Sequence, residues 1–271
     1  MHNIEKNIIY IATLSGGKDS TVQTDLLLKN GYPVDYIIFY DTLQEFKSMY
    51  VYIDKLKEYF RSRYNKEVIV TKPKSTFEDW CYGKINKKGA LYDGYIRGIP
   101  MVWSEPCYWR RESKVKAFDD LIKELNIKEH KIYIGYTNDE KNRVMKEDKF
   151  IYPLIDYFNM SEFDCKKYLL DQEMENPLYK NFNRTGCRMC PAQSKKSWFN
   201  VWKYFNEDWQ YMKIIEDHLN GLELQGNKIK NKYWFPNFKT TNDYENEFIK
   251  LDQRSLFNFS DEPLKDCFCK I

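Results

Sequence analysis

Apolar runs and amphipathic stretches alternate along the first two thirds of the chain. Ile8 to Leu14 is nearly all apolar and runs into the turn-forming Ser15-Gly16-Gly17. A short, continuous apolar run of this kind predicts a strand buried on both faces. Residues 21–30 then predict a helix with Val22, Leu26 and Leu27 inward, stopped by Gly31 ahead of Pro33. A second buried strand is expected over 34–40 and a third over 67–71. Between them, 47–64 is amphipathic, with Met49, Ile53, Leu56 and Phe60 on its apolar side. A short helix over 77–83, a helix over 108–125, a strand over 131–136 and a helix over 161–172, capped by Asn159 or Ser161, complete the alternation. Short links between alternating strands and helices predict a doubly wound, mostly parallel α/β sheet flanked by helices.

Near Asn176-Pro177 the alternation stops. The chain divides there into residues 1–178, a nucleotide-binding type of domain, and a smaller C-terminal helical, cysteine-containing region, 179–271. That region holds a tryptophan-rich helix over 197–219, and its periodicity weakens from 220 onward. Residues 86–100, with Gly89, Gly94 and Gly98 among Lys and Tyr, read as a mobile loop or flap.

Composition narrows the setting. The chain has 271 residues, 42% hydrophobic and 17% aromatic, enough for a sizeable core. A net charge of +3 is too balanced to demand a nucleic-acid partner. No apolar run approaches the roughly 20 residues that span a bilayer, and no secretory leader is visible, so the expected setting is cytoplasmic. There the seven cysteines are thiols, metal ligands or catalytic groups before they are disulfides.

The chemistry concentrates after strand ends, where open parallel sheets bind ligands. In Ser15-Gly16-Gly17-Lys18-Asp19-Ser20, two glycines let the backbone approach a ligand, and the N–H groups of the following helix face an anion. Ser15 and Ser20 add hydroxyls and Lys18 a point charge, while Asp19 caps the helix or holds Mg²⁺. The spacing of a P-loop NTPase is absent. Asp41 and Thr42 follow the second strand. Asp41 either accepts from a ribose and orders Mg²⁺ or caps a turn. Gly135, Glu140 and Arg143 follow the fourth, with Arg143 as a phosphate clamp or as half of a local charge pair.

Cys107 precedes a helix carrying Arg110, Arg111 and Lys114, and is either a thiol whose thiolate those cations favour or a buried structural cysteine beside a solvated basic face. Gly186-Cys187-Arg188-Met189-Cys190-Pro191 is a metal-type knuckle or, less fittingly, a redox dithiol. Cys107 is the best third ligand, and Cys81, Cys165, Cys267 or Cys269 could supply a fourth. Three thiolates with an open position suit a [4Fe–4S] cluster; four closed ones suit zinc or a saturated cluster. Unligated thiols are the remaining reading. Lys195, Lys196 and Lys203 with Trp198, Trp202 and Trp209 form either a nucleic-acid face or, more ordinarily, a core with solvated lysines.

Taken in order, Ser15 to Ser20, Asp41-Thr42 with Glu45-Phe46, Cys107 with Lys114, and Gly135 with Glu140 and Arg143 lead on to Tyr152-Pro153-Leu154-Ile155-Asp156. Asn176-Pro177-Leu178-Tyr179 and Gly186-Cys187 to Cys190-Pro191 follow. Over roughly residues 8–194 this set resembles the phosphoadenosine phosphosulfate reductase-like branch of the PP-loop ATP pyrophosphatases, the adenine nucleotide α-hydrolases. The resemblance implies an adenine nucleotide held by Ser15, Gly16, Gly17, Lys18, Asp19 and Ser20, with Asp41, Thr42, Gly135 and Glu140 nearby. It assigns Lys18, Asp19, Lys114 and Arg143 to the chemistry and Cys107, Cys187 and Cys190 to an iron–sulfur cluster.

The tail reads Asp266-Cys267-Phe268-Cys269, without the Glu-Cys-Gly of the phosphosulfate reductases, and Cys107 is followed by Tyr108, not a second cysteine. The phosphate loop keeps its ATP-using form. The expectation is therefore an enzyme using ATP and Mg²⁺ and forming AMP and pyrophosphate. It is expected to be a sulfurtransferase fed by sulfide or a cysteine desulfurase, with a nucleic acid among its candidate acceptors. Alternatives are a phosphosulfate reductase using a C-terminal thiol, a sulfate or flavin adenylyltransferase, and an ATP-sensing module with structural zinc.

Overall fold

The computed structural model describes residues 8–100 and 107–252. Cys267, Cys269 and the residues just before Cys107 lie outside that range.

Strand β1 (Ile9–Leu14) is central, with Ile11, Ala12 and Leu14 fully buried. It pairs in parallel with β2 (Tyr36–Tyr40), Ala12 facing Ile37, and with β4 (His130–Tyr133), Ala12 facing Tyr133. β3 (Val68–Thr71) pairs with β2, and β5 (Phe150–Ile151) with β4, so the sheet order is β3-β2-β1-β4-β5. Successive strands move one way from β1 to β3, then jump to the other side of β1. The point of reversal, between β1 and β4, opens a crevice at the carboxyl edge.

Helices α1 (Lys18–Lys29), α2 (Lys47–Tyr64), α3 (Phe77–Tyr82), α4 (Tyr108–Arg110) and α5 (Ala117–Glu124) follow the strands. The predicted 108–125 helix is continuous in space but carries a π-helical segment, Arg111–Lys116, between α4 and α5. Helix α6 (Pro153–Asp156) precedes α7 (Glu162–Asp171), where Ser161 and Asp164 form a reciprocal capping box. Met49, Ile53, Leu56 and Phe60 of α2 are buried as their spacing predicts, while Leu121 and Ile122 of α5 pack on Ile11 and Ile38 across the opposite face. Asp25, almost fully buried, accepts hydrogen bonds from Tyr59, Tyr64 and Tyr168, which ties α1, α2 and α7 together.

Two expectations change. Residues 86–100 are not a free flap at their C-terminal end. Ile96 and Ile99 are buried, and Ile96 N–H donates to Lys228 O while Lys230 N–H donates to Ile96 O, both at 2.9 Å. The tryptophan-rich helix is two helices, α8 (Lys195–Tyr204) and α9 (Asn206–Leu224), broken at Phe205 (φ −130°, ψ 53°). Phe205 leaves the helix to pack its ring 4.8 Å from Phe46 and 5.4 Å from Phe182. Trp198 and Trp209 are fully buried, and Lys195 and Lys203 pair with Glu247 and Asp252. Those rings therefore offer no stacking surface to a nucleic acid. A last helix, α10 (Thr241–Asp252), went unforeseen. Phe199, Trp209 and Phe248 of this region share one continuous apolar core with Leu14, Val22 and Met49. No helix among the described residues is long and apolar enough to cross a membrane.

Candidate active site

The loop between β1 and α1 lies at the crevice. Gly16 sits at φ +73°, a conformation strained for other residues, and a Cβ there would meet Met49 Sδ at 2.4 Å. Gly135, just past β4, comes so close to the first turn of α1 that a Cβ would lie 2.9 Å from Ser20 N. Both glycines are thus dictated by close approach.

The loop's polar groups are tied inward. Ser15 N–H donates to Ser20 Oγ at 3.0 Å, the two hydroxyls lie 2.9 Å apart, and Gly17 N–H donates to Ser15 Oγ at 3.3 Å. Lys18 N–H donates to Tyr179 Oη at 2.9 Å, and Asn176 Nδ2 donates to Gly16 O at 2.8 Å. Lys18 Nζ contacts Glu162 Oε2 at 2.7 Å and Asp19 Oδ2 at 3.8 Å. Burial works against the Lys18 ammonium, but Asp19 and Glu162 hold its pKa above that of an ordinary lysine.

Asp19, Glu140 and Glu162 bring carboxylate oxygens within 4.8 Å of one another, the tightest candidate metal group among the described residues. Oxygen donors at this spacing suit a hard cation. Arg143 Nη1 bonds Glu140 Oε1 at 2.6 Å and lies 4.8 Å from the Tyr136 ring centre. Glu162, the first residue of α7, carried no sequence signal for this role.

Asp41 serves its turn: its Oδ1 accepts from Leu43 N–H and Tyr50 Oη, both at 2.8 Å, and Leu43 takes φ +57°. Thr42 is a hub. Its carbonyl accepts from Trp109 Nε1 at 2.9 Å; its hydroxyl donates to Glu45 Oε1 at 2.7 Å and lies 3.4 Å from Cys187 Sγ. Arg188 N–H donates to Gln44 O at 2.7 Å, so the loop after β2 is laced to the cysteine knuckle. Burial raises the pKa of Glu45, opposed by Thr42 and by the charges of Lys114 and Arg188.

Cys107, Cys187 and Cys190 line a single cavity of about 30 Å³ with Thr42, Arg110 and Lys114. Lys114 stands on the π-helical segment and so on the wall of the thiol cavity. Among the described residues the three sulfurs do not form a group with all ligand atoms within 4.8 Å.

The structure also sorts the candidate fourth thiols. Cys81, fully buried in α3, lies within electrostatic reach of Cys107, and burial raises its pKa. Cys165 lies on α7 near Asp19 and Lys18, away from the cavity, and burial raises its pKa too. Arg188, bonded to Asp208 at 2.7 Å, and Tyr179 escaped the sequence reading as site residues, because only the folded chain brings them to the loops they hold.

The sequence of residues 9–193 matches the phosphoadenosine phosphosulfate reductase domain. An uncharacterised protein of Methanocaldococcus jannaschii is 28% identical over 206 residues, covering 74% of this chain and 46% of that one. The chain thus spans under half the length of that relative. The solved structure of a phosphoadenylyl-sulfate reductase from Candida auris, a phosphate complex, aligns with a TM-score of 0.46 at 19% identity, covering 68% of this chain and 82% of that one. With the domain matched over most of its length, the chain belongs to the phosphoadenosine phosphosulfate reductase family.

Proposed function

We propose that this chain is an ATP-using member of its family that forms AMP and pyrophosphate and transfers sulfur to an acceptor it has adenylated. One observation carries the reading: the phosphate loop and the thiol cavity are joined by a single short segment. Thr185 lies over Gly17, and Cys187, two residues on, lines the cavity. Phosphate chemistry and sulfur chemistry thus meet at one edge of the sheet.

In this reading an acceptor carbonyl oxygen attacks the α-phosphorus of ATP. The bond to the β-phosphate oxygen breaks and pyrophosphate leaves. Hydrosulfide then attacks the activated carbon, and AMP departs with the former carbonyl oxygen. The N–H groups at the start of α1, with Lys18 and Arg143, hold the phosphates and stabilise charge as it develops. Asp19, Glu140 and Glu162 would hold Mg²⁺, which supplies charge neutralisation at the leaving pyrophosphate. Cys107, Cys187 and Cys190 would hold an iron–sulfur cluster, which supplies a soft site for sulfur. Lys114 adds positive charge beside those thiols, favouring anionic sulfur there.

The test is product analysis. Protein purified without oxygen and supplied with ATP, Mg²⁺, sulfide and a cell-extract pool of acceptors should yield AMP and pyrophosphate. ADP as the product contradicts the proposal. Iron and acid-labile sulfide on metal analysis support the cysteine assignment, and zinc alone contradicts it. One observation favours a second reading, reduction of a phosphosulfate nucleotide. Tyr179 Oη already satisfies the Lys18 N–H, as suits a ligand with no β-phosphate. Sulfite released from phosphoadenosine phosphosulfate with a thiol reductant and no ATP would establish that reading instead.

A further inference from the structure

The segment after α7 does more than cover the phosphate loop. Three hydroxyl oxygens gather around Gly17. Ser15 Oγ accepts the Gly17 N–H at 3.3 Å, and Tyr179 Oη accepts the Lys18 N–H at 2.9 Å. The position a Gly17 Cβ would take is 3.1 Å from Thr185 Oγ1, 3.3 Å from Ser15 Oγ and 3.6 Å from Tyr179 Oη. Burial raises the Tyr179 pKa, so its oxygen stays a neutral hydroxyl. These oxygens occupy the cradle that a phosphate needs, and two of them take the same amides.

Tyr179 forms part of the wall of a 290 Å³ cavity, together with Lys18, Glu162, Lys166 and Phe182. The same cavity borders Lys18, whose ammonium is now neutralised by Glu162 at 2.7 Å.

We infer that Tyr179 is a specificity-determining residue: its hydroxyl stands in for a phosphate oxygen on the Lys18 amide, so a polyphosphate must displace it and binds less tightly for that, while a compound without a β-phosphate is not penalised. A nucleotide with a β-phosphate replaces the lost hydrogen bond with a charge-assisted one. An adenosine compound lacking that group gains nothing by displacing the tyrosine. The inference rests on the nucleotide reading above and adds a residue that sets which nucleotides bind.

The experiment is titration calorimetry of the wild-type chain, Tyr179→Phe and Thr185→Val with ATP, inorganic tripolyphosphate and adenosine. Tyr179→Phe keeps the ring and removes the competing oxygen. It should tighten ATP and tripolyphosphate about three- to tenfold, the worth of one hydrogen bond, and leave adenosine unchanged. Thr185→Val should tighten both polyphosphates in the same direction by less. Equal or weaker polyphosphate binding in Tyr179→Phe overturns the inference while leaving the nucleotide site standing. Failure of all three proteins to bind ATP overturns both.

Discussion

The phosphate loop and the thiol cavity lie on one edge of one sheet, yet they are built in opposite ways. The loop is local: six consecutive residues, three between β1 and α1 and three opening α1, with close backbone approach fixed by Gly16 and Gly135. The cavity is assembled from afar. Its walls come from the loop after β2, the π-helical segment, the cysteine knuckle and Trp234 near the end of the described chain. A local site tolerates little change in its backbone and much change around it. An assembled site depends on every strut. Substitutions should therefore separate the two.

The largest effect is expected at Gly135. A Val side chain there collides with Ser20 N and must push β4 from the start of α1. Gly135→Val should cost about 2 kcal/mol of stability and abolish ATP binding, read by thermal melting and calorimetry. Retained ATP affinity would break the claim that backbone closeness makes the loop.

Next comes the paired change Cys187→Ser with Cys190→Ser. Bound iron should be lost, while ATP affinity stays within about twofold, since sites without shared partners act additively. A parallel loss of ATP binding would mean that the two sites are one unit.

A pH-dependent effect, smaller for ligand binding, belongs to helix α9, outside both sites. Glu216 is buried and accepts from Thr241 N–H at 3.0 Å, and burial pushes its pKa up to about 7. The folded chain thus binds this proton more tightly than the unfolded one, whose carboxyl titrates near the ordinary value of 4.5. The added stability is present in full below about 4.5 and is lost as pH rises through about 7, on the order of 3 kcal/mol. Glu216→Gln should flatten that slope in denaturant melts between these pH values and leave ATP affinity alone.

The smallest effect is Lys47→Ala. Lys47 pairs with Glu207, both mostly exposed. No measurable change in melting is expected, because such pairs are screened by solvent.

The same contrast explains what the sequence disclosed. The turn at Ser15 to Ser20 was legible because a glycine turn into a helix is written in consecutive residues after an apolar strand. The knuckle was legible for the same reason, and Cys107 could be paired with it because each carried a local motif. Tyr179, Glu162, Glu45 and Arg188 were not legible as site residues, since each works only through a partner that folding brings close. β5, two residues long, falls below any periodicity. The break at Phe205 answers to Phe46 and Phe182, which no local pattern encodes. The anchoring of Ile96 and Ile99 depends in the same way on residues 228–231.

The central claim is that the loop at residues 15–20 receives the phosphates of an adenine nucleotide at the β1–β4 crevice. A crystal structure with a non-hydrolysable ATP analogue and Mg²⁺ tests it most directly. The account predicts phosphate oxygens on the Gly17 and Lys18 N–H groups, with the Tyr179 hydroxyl displaced and the metal beside Asp19. Nucleotide bound elsewhere, with Tyr179 still on the Lys18 amide, would contradict it.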